Sequence, residues 1–166
     1  MLKNFTLAAL LLLTTAYVNA QTKIAYIHMQ QLISSMPETK RALDTLQLYE
    51  QELNKDGQVL VTEFQKRVAL FTKEEPTLKP DIRDIRIKEL ETAKTSIDDY
   101  KMRMEQKLAL REQALTDPII AKAKKAVADL AAEKGFVCVL DSSKDIIVAA
   151  TCEDLMAPAK LKLGIK

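Results

Sequence analysis

Between Pro37 and Asp117 the apolar residues recur three and four positions apart, and the residues between them are mostly charged or polar. Leu46, Leu53 and Leu60 stand one heptad apart, with Phe64 and Phe71 on a neighbouring line. Beyond the two prolines of Pro76-Thr77-Leu78-Lys79-Pro80 the series resumes as Ile82, Ile85, Leu90, Ala93, Ile97, Tyr100, Met104, Leu108 and Leu115. A single apolar stripe with polar flanks is the pattern of a helix that buries one side. Residues 37–75 and 81–117 therefore predict two helices of nearly equal length, about 55 Å each at ~1.5 Å per residue. The proline-bounded turn between them makes an antiparallel helical hairpin, an arm with that turn at its far end.

Local signals mark where these helices begin and end. Ser35, three residues before Glu38, has the spacing of a capping box, with Pro37 tolerated in the first helical turn. Asp81 is placed to cap the return helix. Gly57 interrupts the first stripe and predicts a local thinning or bend. At Thr116-Asp117-Pro118 a kink or restart is expected, because proline inside a helix costs about 3 kcal/mol. An Ala-rich segment then runs to Lys134, with Gly135 as its C-terminal cap.

Outside the arm the pattern changes. Residues 24–28 are β-branched and aromatic enough for a strand. Residues 136–141 and 146–150 flank the polar turn Ser142-Ser143-Lys144-Asp145 and predict a hairpin. Phe136, Cys138 and Leu140 lie on one face of its first strand, Val137 and Val139 on the other. Strands that are apolar on both faces are buried on both. One chain offers little to cover them, so part of this sheet is expected to need another subunit. A last helix follows, with Asp154 as cap, Pro158 one turn in, and Leu155, Ala159 and Leu163 at helical spacing. The fold class is mainly α: a small β body, residues 21–36 and 118–166, bearing a helical hairpin arm, 37–117.

The first twenty residues read differently again. Lys3 precedes an apolar run from Phe5 to Leu13, and small residues close the segment before Gln21. This is the pattern of a cleaved secretory signal peptide, residues 1–20, with an uncleaved anchor as the alternative. No second stretch is long and apolar enough to insert in a membrane. The mature chain is then expected outside the cytoplasm, in a compartment that permits disulfides. With its only charge in that segment, Lys3, removed, the formal net charge falls from +2 to +1. So nearly neutral and mixed a chain is a poor candidate for nucleic acid.

Candidate chemistry is sparse. There is no Gly-rich phosphate loop, no His/Cys set with metal-ligand spacing and no nucleophile elbow, and the sequence implies no cofactor or metal. The single histidine, His28, has no second histidine, cysteine or acid near it in sequence, and reads as structural. Asp98-Asp99 lies mid-helix as part of a solvated face. Met102 and Met104 border the apolar stripe and read as packing. Cys138 and Cys152 are the only cysteines. Hairpin pairing sets Cys138 opposite Ala149, so bridging the two would take a bulge or bent exit. Two unpaired thiols is the simpler reading.

In order along the chain, KIAYIHMQQLISSMPETKRAL, a long charged hairpin, GFVCVLDSSKDIIVAA and EDLMAPAKLKLGIK resemble the Skp/OmpH family of periplasmic chaperones. The resemblance covers essentially the whole mature chain. It implies a homotrimer whose strands share one β body, from which three helical hairpins project around a cavity. It also implies an ATP-independent holdase, not an enzyme, whose partners are unfolded outer-membrane β-barrel proteins. Ile24, Tyr26, Val137, Val139 and Ile147 would then line the trimer interface. Client contacts in this family are spread over many side chains, so no binding motif carries over. The rival reading is a structural coiled-coil spacer or adaptor of the cell envelope.

Overall fold

The computed structural model describes residues 23–144 and 151–165. Along the chain run β1 (Ile24–Ile27), α1 (Met29–Ser34), α2 (Pro37–Glu74), α3 (Pro80–Lys134), β2 (Cys138–Asp141), β3 (Glu153–Asp154) and α4 (Met156–Lys162). The expected signal segment, the strand at 146–150 and Ile147 lie outside the described residues.

The arm has the predicted form. Helix α2 ends in a short 3-10 turn, Glu75–Thr77, and α3 starts at Pro80. Arg83 closes the tip through a 2.8 Å ion pair with Glu75. Along the seam, Leu53 is the one buried residue of α2. Leu90, Ala93, Ile97, Tyr100, Met104, Leu108 and Leu115 of α3 are half-buried. Ile82 and Ile85, expected in the same stripe, are instead 44% and 54% exposed. The five-residue step from Ile85 to Leu90 explains it: at about 100° per residue it turns the helix some 140° off the stripe. On α2 the seam steps through Gly57 to Val61, leaving the heptad residue Leu60 exposed.

Three expected helix boundaries are corrected. Ser35 does not build a capping box: its hydroxyl donates to the Leu32 carbonyl at 2.7 Å, closing α1. The N-cap of α2 is Met36, which makes no side-chain cap but is 2% exposed and anchors the start of the arm in the core. Asp81 does not cap α3 either. Lys79 holds that position, and Pro80 in the first turn removes one of the donors that needs a cap. Nor does the helix restart at Asp117, since α3 runs through Pro118 for 55 residues, about 82 Å. Proline removes one backbone donor here. The turns beyond it remain helical because Ile119, Ala123, Val127 and Leu130 pack into the body core.

The end of α3 follows the prediction. Gly135 takes φ 71°, its N–H bonds to Ala132 O, and the Phe136 N–H bonds to Ala131 O at 2.9 Å. That is a Schellman closure. It consumes Phe136, so the strand expected from 136 begins only at Cys138.

The sheet has the order β2-β1-β3, with both outer strands parallel to β1. Parallel neighbours need a crossover; here the crossover from β1 to β2 contains the whole arm. Paired residues of a parallel ladder share a face. The inner face carries Ala25, Ile27 and Val139, covered by α3 and α4 through Val127, Leu130, Leu155 and Ala159. That face is closed within one chain, which leaves only the other face for the cover expected from another subunit. These two helices suffice because Ala25, Ala123 and Ala159, all fully buried, allow close approach.

Candidate functional site

Two surfaces of this molecule can meet other molecules: the outer face of the sheet and the arm. The outer face is fixed by the strand register. Ile24 lies beside Cys138 and Tyr26 beside Leu140 on one side; on the other, Tyr26 pairs with Asp154, which sets Cys152 level with Ile24. Ile24 is 40% and Leu140 42% exposed, and nothing in the described chain covers them.

The expected interface residues divide accordingly. Ile24 and Tyr26 stand on this open face. Val139 points to the opposite side, against the chain's own core. Val137, just before β2, is 74% exposed and donates its backbone N–H to Lys23 O. Leu140 was not among the expected residues; its alternation with Val139 is the signal that would have found it.

Asp141 ties this sheet to the base of the arm. One carboxylate oxygen accepts from the Met29 N–H, at the start of α1, at 3.2 Å and from the Ser143 N–H at 2.9 Å. Burial alone would raise its pKa, but these bonds and nearby His28 outweigh that and hold it below the ordinary aspartate value. His28 itself is structural: its Nδ1 accepts from the Gln31 N–H and caps α1.

The arm is apolar in the wrong places for a sealed coiled coil. Leu43, Leu48, Val59 and Leu70 on α2 are 53–67% exposed, and Met102 and Leu110 on α3 are 57% and 68% exposed. These residues stand off the seam, so the spacing that predicted the stripe passes over them. Met102 thus faces water, whereas Met104 packs as expected. Where the arm meets the body, α2 and α3 part around an open cleft of about 460 Å³. Ile33, Leu43, Leu46, Leu115 and Ile120 form its apolar wall, with Glu112 and Lys144 at the rim. A cleft of this size can take one or two apolar side chains of another chain.

Opposite charges are closely mixed along the arm, and some of them form ion pairs. Arg67 meets Glu63 at 3.2 Å and Arg86 meets Glu89 at 2.9 Å. At the arm root Lys122 of α3 bonds Glu38 of α2 and lowers its pKa. Exposed pairs of this kind contribute about 0–1 kcal/mol each. Among the described residues no group of His, Cys, Asp or Glu has the arrangement of a metal site. No described helix is long and apolar enough to cross a membrane.

A small parallel sheet whose crossover is drawn out into a long helical hairpin defines a class of armed, helix-rich proteins. Within it, residues 23–160 match the family described as Outer membrane protein (OmpH-like), and the chain belongs to that family. No curated protein matches the sequence. Among solved structures, the fold is similar to that of an OmpH-like protein from Caulobacter crescentus CB15, assigned there as an outer membrane chaperone. The TM-score is 0.73 at 12% identity, over 87% of this chain and 85% of that one.

Proposed function

We propose that this chain is a periplasmic holdase that encloses unfolded outer-membrane β-barrel proteins between its arms and keeps them from aggregating. On this reading residues 1–20 are a cleaved signal peptide and the body, 21–36 and 118–166, assembles three copies through the open sheet face. The arm, 37–117, does the holding. No nucleotide and no catalysis are involved: binding the unfolded chain lowers its free concentration, and that alone opposes aggregation.

The observation that carries the reading is the set of large apolar side chains held in water along both arm helices, Leu48, Val59, Leu70 and Leu110 among them. Scattered singly such residues are ordinary, but carried along both helices of one arm they offer a series of apolar contacts to a chain laid against it. A spacer would turn such residues into its seam. A holdase needs them scattered, because an unfolded client presents no fixed shape to match. Family membership and the likeness to the Caulobacter protein support the same reading.

The test is to dilute a urea-unfolded outer-membrane β-barrel protein into buffer with and without the mature chain and follow light scattering. Protection at near-stoichiometric ratios is expected. A variant lacking Leu60–Leu90 should assemble normally and protect poorly. No protection by the full chain would overturn the proposal, and loss of assembly in the deletion would make the arms the oligomerising element instead.

A further inference from the structure

The two cysteines stand at opposite ends of one row. The register Ile24 beside Cys138 and Ala25 beside Glu153 sets the row as Cys138, Ile24, Cys152, with β1 in the middle. Ile24 and Cys138 share the open face, and continuing the β3 register back one residue sets Cys152 level with them. Each neighbouring strand lies about 4.8 Å from β1, so the two cysteine Cα atoms are roughly 9–10 Å apart. A disulfide needs Cα atoms within about 7 Å. The two thiols cannot bridge across Ile24, and both are free within the chain.

What can reach them is a second copy of the same face. This row carries no charge, and in the next one, Leu140-Tyr26-Asp154, the only charge is Asp154, already bonded to the Met156 N–H at 2.8 Å. Such a face brings a single charge, already held by a hydrogen bond, toward its own copy. The row is also directional, with a thiol at each end. Copies related by rotation bring the Cys138 end of one row toward the Cys152 end of the next, a head-to-tail contact that closes into a ring.

We infer that Cys138 of each copy forms a disulfide with Cys152 of the next, so that the assembled body is closed covalently around its ring. The inference rests on the trimer of the proposed function and adds the bond that fastens it. Each bond forms by exchange with a disulfide-bearing oxidant. One cysteine thiolate attacks the oxidant, releasing one of its thiols and leaving a mixed disulfide. The second cysteine then displaces the other, so two protein thiols become one disulfide and the oxidant leaves as two thiols.

The mature chain, purified reduced and exposed to oxidised glutathione, is blocked with N-ethylmaleimide and run on a non-reducing denaturing gel. A covalent trimer is expected, reverting to monomer on reduction. With one thiol left per chain, Cys138→Ser and Cys152→Ser should each remain monomeric on the gel. A monomer two mass units lighter would reveal an internal bridge and overturn the inference. So would a wild-type chain that stays unlinked, or a covalent dimer in either single variant. Sedimentation of the Cys138→Ser/Cys152→Ser variant separates the two readings. A trimer there, with no linkage in the wild type, sinks the disulfide alone; a monomer in both sinks the trimer as well.

Discussion

The hydroxyl of Tyr100 donates to the carbonyl oxygen of Leu53 at 2.8 Å, joining the two helices of the arm midway along their length. The ring lies against Gly57, where an added Cβ would come 3.0 Å from Tyr100 Cε1. Gly57, which in sequence reads as a flaw in the stripe, is the place where the partner helix comes close enough for this clasp. Burial, then Asp56 and Tyr49, raise the pKa of the phenol, so the clasp holds below the ordinary tyrosine range and is lost as pH rises above it.

Gly57→Ala tests the clasp. In an open helix alanine would add about 1 kcal/mol of stability, but here the tethered ring cannot move aside without giving up a bond worth about 1 kcal/mol. The gain should vanish or reverse in the wild-type background. It should reappear in Tyr100→Phe, whose ring is free to shift. Urea unfolding of the four proteins in this cycle measures the coupling, and simple additivity would refute the clasp.

Asp141 sets the acid response of the body. Its folded pKa is lowered, so the stability it lends is fully present above the ordinary aspartate value and disappears as pH falls through the folded value. Asp141→Ala leaves the Met29 and Ser143 N–H groups without their acceptor and should cost about 1–2 kcal/mol at neutral pH. Asp141→Asn should cost less and flatten the acid limb of stability against pH. Denaturant midpoints taken between about pH 7 and pH 3 would show either outcome.

Neighbouring residues on β2 should fail in different ways. Leu140→Asp puts a charge on the open face and should yield folded monomers. Val139→Asp puts it against the chain's own core and should unfold the body, since an unpaired buried charge costs several kcal/mol. Sedimentation velocity and circular dichroism together separate a dissociated protein from an unfolded one. Two folded, assembled variants would mean that neither face is closed as described.

Salt should have little effect on client capture. The arm mixes both signs closely, some of them in ion pairs such as Arg67–Glu63 and Arg86–Glu89, and the fields of exposed charges fade within about 8 Å at physiological ionic strength. Client affinity measured from about 50 to about 500 mM salt should change less than roughly threefold. A basic binder releasing counterions would lose orders of magnitude over that range, and such a loss would reveal a one-sign surface on the assembled arms.

The arm was legible in the sequence because helix spacing and proline are local signals. The limits of α2 and the Gly135 cap could be read almost to the residue. The strands were harder. That β2 would run parallel to β1 depends on partners more than a hundred positions apart, and no short window holds that information. The two-residue β3 carries no pattern of its own. Pro118 misled because its local cost is real, yet tertiary packing by Ile119 and Ala123 overrides it. On the arm, the exposed leucines stayed hidden because periodicity reports what faces a neighbour and says nothing of what is left facing water.

The continuity of α3 has a mechanical meaning. One continuous helix carries both the return half of the arm and the central packing element of the body, whereas α2 meets the body near its start, through Met36, Ala42 and the Glu38–Lys122 pair. The arm is thus a cantilever held chiefly through α3, whose Ile119, Ala123, Val127 and Leu130 sit in the core. A load near the tip, such as a bulky client pushing outward, acts as a bending moment on the root of α3 around Pro118. There it presses on Ile119 and Ala123, the first buried side chains past the proline. On the proposed reading, the stiffness of that one turn would set how far the arms spread, and strain from a held client would be felt first in the core of the body.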